Sequence, residues 1–153
     1  MRRMILASFG IAAAAGVALS VWGNATPDRA AYQDPTVVSA GATIYANQCA
    51  SCHGEDLGGQ PDWKTRDAAG YLPAPPHDDS GHTWHHPDAQ LFQIVKLGTE
   101  AIVGDGYRSN MPGFGEVLSD DDIRAVLAYI KSTWPDRIID RHNELNAAYD
   151  RTN

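Results

Sequence analysis

In the stretch NQCASCHGEDLGG the two cysteines of the chain stand at positions 49 and 52, and a histidine follows at 53. Four chemistries use cysteines at this spacing. A disulfide within Cys-x-x-Cys is strained and closes only a very short loop. A thioredoxin-type dithiol follows a strand in a βαβ setting, and no such pattern flanks Cys49. A structural zinc site takes four ligands, usually with a second Cys/His cluster at a set spacing. The fourth chemistry needs all three side chains together, since Cys-x-x-Cys-His is the attachment motif of c-type haem. Residues i, i+3 and i+4 share one face of a helical turn. Cys49 and Cys52 then reach the two vinyl groups of one porphyrin edge, and His53 aims its ring at the iron from the same side. The sequence therefore predicts one covalent haem c, bound through two thioethers, with His53 as the proximal iron ligand.

The sixth position of such an iron is argued by elimination. Past residue 25 the chain contains a single methionine, Met111, in the glycine-flanked stretch SNMPGFG. A lone methionine is ordinarily core filler, but filler sits more often on a helix face than in a loop followed by proline. The rival donors are His77, His82, His85, His86 and His142. Met/His ligation raises the reduction potential and suits a carrier late in a respiratory chain, whereas bis-His ligation lowers it. Met111 is the expected distal ligand.

Helices must position these groups. TVVSAGATIYANQ, residues 36–48, repeats Val37, Gly41, Ile44, Tyr45 and Gln48 at helical spacing just after Pro35. PDAQLFQIVKLG opens on Pro87 and Asp88 and stops at Gly98. SDDDIRAVLAYIKSTW is the strongest helix: Ser119 caps it, three aspartates complement its dipole, and Ile123, Val126, Leu127, Ile130 and Trp134 form one apolar stripe. The tail carries a weaker stripe of Ile138, His142, Leu145 and Tyr149. Residues 54–86 and 99–115 read as long irregular loops that need something to wrap around. No strand pattern stands out. The expected fold is all-α.

The first 25 residues precede that fold. Arg2 and Arg3, then an uncharged apolar run over residues 4–22, then Gly23-Asn24-Ala25, have the layout of an export signal. The run also reaches the length of a membrane anchor. The expected organisation is a signal or anchor at 1–25, a linker at 26–35, the haem domain at 36–134 and a helical tail at 135–153. The formal net charge of −7 argues against a nucleic-acid partner. It favours redox proteins with a basic docking patch.

CxxCHG behind a first helix, a distal Met-Pro loop and the closing LSDDDIRAVLAYIKSTWP helix resemble the class I monohaem cytochromes c of bacterial exported type, over about residues 36–134. The resemblance implies a cytochrome c-like fold of three to five helices around one haem. It implies a close crossing of the first and last helices at Gly41 and Tyr129. It further implies a proline carbonyl that accepts the Nδ1 hydrogen of His53. Pro61, Pro73, Pro75 and Pro76 are the candidates, and Pro75 is chosen. Trp63, Arg66, Trp84, Tyr107 and Arg108 are candidates for porphyrin or propionate contact. The histidine-rich HDDSGHTWHHPD, residues 77–88, reads as a polar loop covering a haem edge rather than as a copper or zinc site.

The function expected is single-electron transfer between respiratory or periplasmic partners through Fe(III)/Fe(II) cycling. It is that of a carrier and not an enzyme, in the periplasm or tethered to the outer face of the inner membrane. The alternatives are a membrane-anchored cytochrome subunit of a dehydrogenase or oxidase complex and a peroxidase-type haem enzyme.

Overall fold

A computed structural model describes residues 31–153; the export or anchor segment expected at 1–25 lies outside the described residues. Six α-helices follow in order: α1 (Pro35–Gln48), α2 (Ala50–His53), α3 (Asp88–Leu97), α4 (Thr99–Val103), α5 (Asp120–Ser132) and α6 (Asp136–Thr152). No strand occurs among the described residues. The count exceeds the expected three to five because α2 and α4 are single turns, set inside stretches that read as loop or motif. Short 3-10 turns at Ala31–Gln33 and Thr83–His85 complete the secondary structure. None of the described helices is long and apolar enough to cross a membrane.

The scaffold is the crossing of α1 and α5. Asp34 caps α1, its carboxylate accepting the Thr36 N–H at 2.8 Å. Ser119 and Asp122 form a reciprocal capping box on α5, an arrangement worth about 1 kcal/mol to a helix start. Gly41 of α1 faces Ala125 and Tyr129 of α5: a Cβ built on it overlaps the Ala125 carbonyl oxygen and lies 2.8 Å from the Tyr129 Cβ. The missing side chain is what lets the backbones touch. Tyr45, one turn on, is 2 % exposed and packs its ring 5.4 Å from that of Tyr129. The expected α5 stripe is buried apart from the half-buried Leu127, and Ala125, Ala128 and Lys131 are buried with it. Ala125 lies directly beneath Gly41 of α1.

The terminal helix α6 differs from its expected stripe. Ile138, His142 and Asn146 are buried, Leu145 is half-buried and Tyr149 is exposed. Polar pairing with the start of α3 selects Asn146: its Oδ1 accepts the Asp88 N–H at 2.7 Å and its Nδ2 donates to the Asp88 carboxylate at 2.8 Å. Fully buried His142 completes this clasp. Its Nε2 lies 3.0 Å from the His86 carbonyl oxygen and its Nδ1 lies 3.4 Å from Asn146 Nδ2. The neutral ring satisfies both contacts, with Nε2–H donating and Nδ1 accepting. Trp134 packs edge-on to the same ring.

Burial holds the His142 imidazole below its ordinary range; the Asp88 carboxylate and the His86 hydrogen bond oppose that shift and Lys131 reinforces it. Here the unfolded chain binds the proton first. This contribution to stability is therefore present in full above the unfolded pKa, about 6.5, and is lost as pH falls toward the lower folded value. The expected result is a urea midpoint that falls between about pH 7.5 and 5.5, with a smaller fall in His142→Gln. An unchanged pH slope in that variant counts against the assignment.

Candidate haem site

Helix α1 runs directly into the attachment motif. Cys49 ends α1, its N–H bonding to the Tyr45 carbonyl at 2.9 Å, and also opens α2, whose last residue is His53. The Tyr45 hydroxyl donates to the Gly54 carbonyl at 2.9 Å, pinning the far end of the turn. Both thiols are free, Cys49 half-buried and Cys52 exposed. Burial pushes the Cys49 thiol up to about 11, with Cys52 beside it adding to the rise. A reactive redox dithiol requires the opposite shift. Among the described residues no group of three or more His, Cys, Asp or Glu is placed to hold a metal ion by itself.

His53 is 6 % exposed and its Nδ1 lies 2.8 Å from the Pro75 carbonyl oxygen. Donation from Nδ1 fixes the ring plane and leaves Nε2 unprotonated, the state a metal-ligating imidazole needs. Burial lowers the basicity of the ring, partly offset by the Pro75 bond. Local pairing brings Pro75 there. Gln60 N–H bonds to Ala74 O and His77 N–H to Leu57 O, each at 2.8 Å. Gly59, at φ +69°, lets the two segments approach, since a Cβ on it would lie 2.5 Å from Pro76 N. Residues 61–73 are looped out as a strap, so a carbonyl 22 residues beyond His53 is still delivered to its ring. His77, read from sequence as part of a covering loop, is half-buried, its ring stacked on His53 at 4.0 Å and its Nδ1 2.8 Å from Thr83 Oγ1.

Met111 is held from three directions. Its N–H bonds to Ser109 Oγ at 3.1 Å, its Sδ accepts from the Thr99 hydroxyl at 3.5 Å, and its chain continues against the end of α3. There Phe114 and Gly115 N–H groups bond to the Val95 and Lys96 carbonyls, each at 2.9 Å, filling acceptors that a helix end leaves unpaired. Gly98 stops α3 at φ +86°, and a Cβ on it would lie 2.8 Å from Gly113 N. A cleft of about 650 Å³ opens beside Met111, lined in part by Leu97, Ala101 and Pro112. Thr99, Ser109 and His77 carry no sequence signal for these roles.

A family model described as cytochrome c matches residues 38–134, more than half of the chain. The chain belongs to the cytochrome c family. Among curated proteins this cytochrome c is similar to the Cbb3-type cytochrome c oxidase subunit FixP of Azorhizobium caulinodans, at 33 % identity over 92 residues, covering 60 % of this chain and 28 % of that protein. The FixP subunits of Sinorhizobium medicae and Rhizobium meliloti each match at 30 % over 96 residues, covering 62 % of this chain and 29 % of theirs. The chain thus spans less than a third of the length of these relatives along the matched region. No solved structure matches it.

As a cytochrome c the chain carries one covalent haem c; Cys49, Cys52 and His53 fit the CxxCH motif. The structure fits the group on a further count. Among the described residues the Trp84 indole Nε1 is a buried donor without a hydrogen-bond partner, a rare state in a native interior that an acceptor on a cofactor would relieve. The Trp84 ring stacks on His85 at 3.7 Å, with the Arg141 guanidinium 5.3 Å from its centroid. Arg66 and Tyr107 face one another, guanidinium to ring centroid 5.2 Å. Trp63 stacks on His82 at 5.2 Å. Of the histidines in the 77–88 stretch, His77 thus stacks on His53, His85 on Trp84 and His82 on Trp63, with His86 edge-on to His82.

Proposed function

We propose that this cytochrome c passes single electrons between redox proteins outside the cytoplasm, with His53 and Met111 as the two axial ligands of its haem iron. The observation that carries this reading is the His53–Pro75 contact. It presents Nε2 as a fixed, unprotonated donor next to two thiols, while Thr99 and Ser109 orient the sulfur of Met111. The haem supplies the one-electron chemistry when bound. The chain's own work is to keep both donors in place so that little reorganises on electron transfer, and to exclude water. Trp84 would donate its indole N–H to a haem carboxylate, and Arg66 and Tyr107 would lie among the further contacts of the group.

The test is an optical spectrum of oxidised protein. A weak sulfur-to-iron charge-transfer band in the near-red is expected, and Met111→Ala should abolish it and lower the midpoint potential by on the order of 100 mV. A wild-type spectrum without the band, or a variant that keeps it, rejects Met111 as ligand.

A second reading is favoured by one observation, the similarity to FixP oxidase subunits. In it the chain delivers electrons inside a fixed membrane complex, tethered through residues 4–22. The first reading, a mobile periplasmic carrier docking briefly on partners with a basic patch, draws support from the net charge of −7. Detergent extraction separates them: a stoichiometric co-purifying partner supports the subunit, a free monomer the shuttle.

A further inference from the structure

The strap at residues 61–73 and the loop that carries Met111 are joined by an exchange of arginine–tyrosine pairs. Arg66 of the strap lies over the Tyr107 ring of the loop at 5.2 Å, and Arg108 of the loop lies over the Tyr71 ring of the strap at 4.2 Å. Arg108 also donates to the Ala69 carbonyl at 2.8 Å and to the Tyr71 hydroxyl at 2.5 Å. The strap keeps its own shape: Arg66 bonds Gly70 O at 2.6 Å, and the Asp67 carboxylate accepts the Ala69 and Tyr71 N–H groups, each at 2.9 Å.

The first part of the loop is loosely packed. Gly104, Asp105 and Gly106 run consecutively at φ +69°, +48° and +74°, and a Cβ on either glycine would meet nothing within 4 Å. Segments with so few packed contacts open at low free energy. Beyond them the contacts become continuous: Arg108 is fixed to the strap, Ser109 N–H bonds Glu100 at 2.8 Å, and Ser109 Oγ accepts from Met111 N–H at 3.1 Å. A guanidinium is suited to this, since its planar fork makes two hydrogen bonds and a ring contact with little further ordering.

We propose that the strap is a positioning element for the distal ligand, and that Arg108, gripped by Ala69 and Tyr71, sets how often the Met111 sulfur leaves the iron. This rests on Met111 being that ligand. The pairs hold the loop shut from outside, and loosening them raises the fraction of molecules with an open sixth position. An added ligand that binds only the open form then gains apparent affinity by the same factor.

The experiment titrates the oxidised holoprotein with imidazole and follows the near-red sulfur band. Arg108→Ala is expected to bind imidazole about tenfold more tightly than the wild type with unchanged haem content. Tyr71→Phe keeps the ring and removes the hydroxyl, so it shifts affinity in the same direction by a smaller factor, and it serves as the probe should Arg108→Ala fold poorly. Imidazole affinity within about twofold of the wild type in both variants, with the wild-type sulfur band intact, overturns the role of the strap alone. A wild type without that band overturns the Met111 ligation, and this inference with it.

Discussion

Replacing Cys49 and Cys52 together by serine is expected to leave no haem on the polypeptide after denaturing electrophoresis and to abolish most of the helical far-ultraviolet signal. Covalent attachment has no other route, because these are the only cysteines in the sequence. The loss of structure follows from the size of the core. Buried apolar side chains centre on Tyr45, Leu57, Val126, Ile130, Trp134 and Ile138, with several alanines among the rest. Domains of this size bury a modest share of their surface, and their net stability is about 5–15 kcal/mol. The porphyrin contributes the apolar bulk that residues 54–86 and 99–115 lack. A single Cys49→Ser or Cys52→Ser keeps one thioether and is expected to retain part of the stain. A well-ordered haem-free double variant, seen by circular dichroism, would contradict this account.

Gly41→Val is the second large effect. The first atom of any side chain at Gly41 overlaps the Ala125 carbonyl oxygen, and the neighbouring carbonyl carbon and Tyr129 Cβ stand 2.6 and 2.8 Å away. Two of these three are backbone atoms, which no rotamer change can move aside. The helices must separate, and Tyr45 loses its contact with Tyr129 one turn later. A loss on the order of 4 kcal/mol is expected, near the upper end for one substitution, and it is read from the urea midpoint. Gly41→Ala should cost less but stay clearly destabilising, although alanine is the better helix former by about 1 kcal/mol. A neutral or stabilising Gly41→Ala would show that the crossing relaxes freely.

The all-helical fold was legible because its main elements announce themselves locally. Helix α5 has a cap, an acidic first turn and a 3.6-residue stripe, and α3 has Pro87 before it and Gly98 behind. The α1 stripe was weaker, yet Gly41 and Tyr45, its buried positions, were both in it. The tail misled because its contact face is polar. Asn146 is buried by pairing with Asp88, which periodicity of apolar residues cannot register, so exposed Tyr149 took its place in the expected stripe. The irregular stretches were the least readable. His77 has no repeating pattern around it, and only the pairing of residues 57–60 with 74–77 turns it inward onto His53. Arg66 and Tyr107 stand among the expected haem contacts. Their mutual pairing, like that of Arg108 with Tyr71, joins segments far apart in sequence and has no local signature.

The clasp of α6 on α3 bears on how the molecule assembles. Asp88 pairs with Asn146, His86 with His142 and His77 with Trp134, at separations of 58, 56 and 57 residues. Such closures wait until most of the polypeptide has emerged, because long intervening segments must be ordered first. The cysteine–histidine turn, by contrast, is short-range and available early. The turn from Cys49 to His53 can therefore form before the last described helix has anything to close upon.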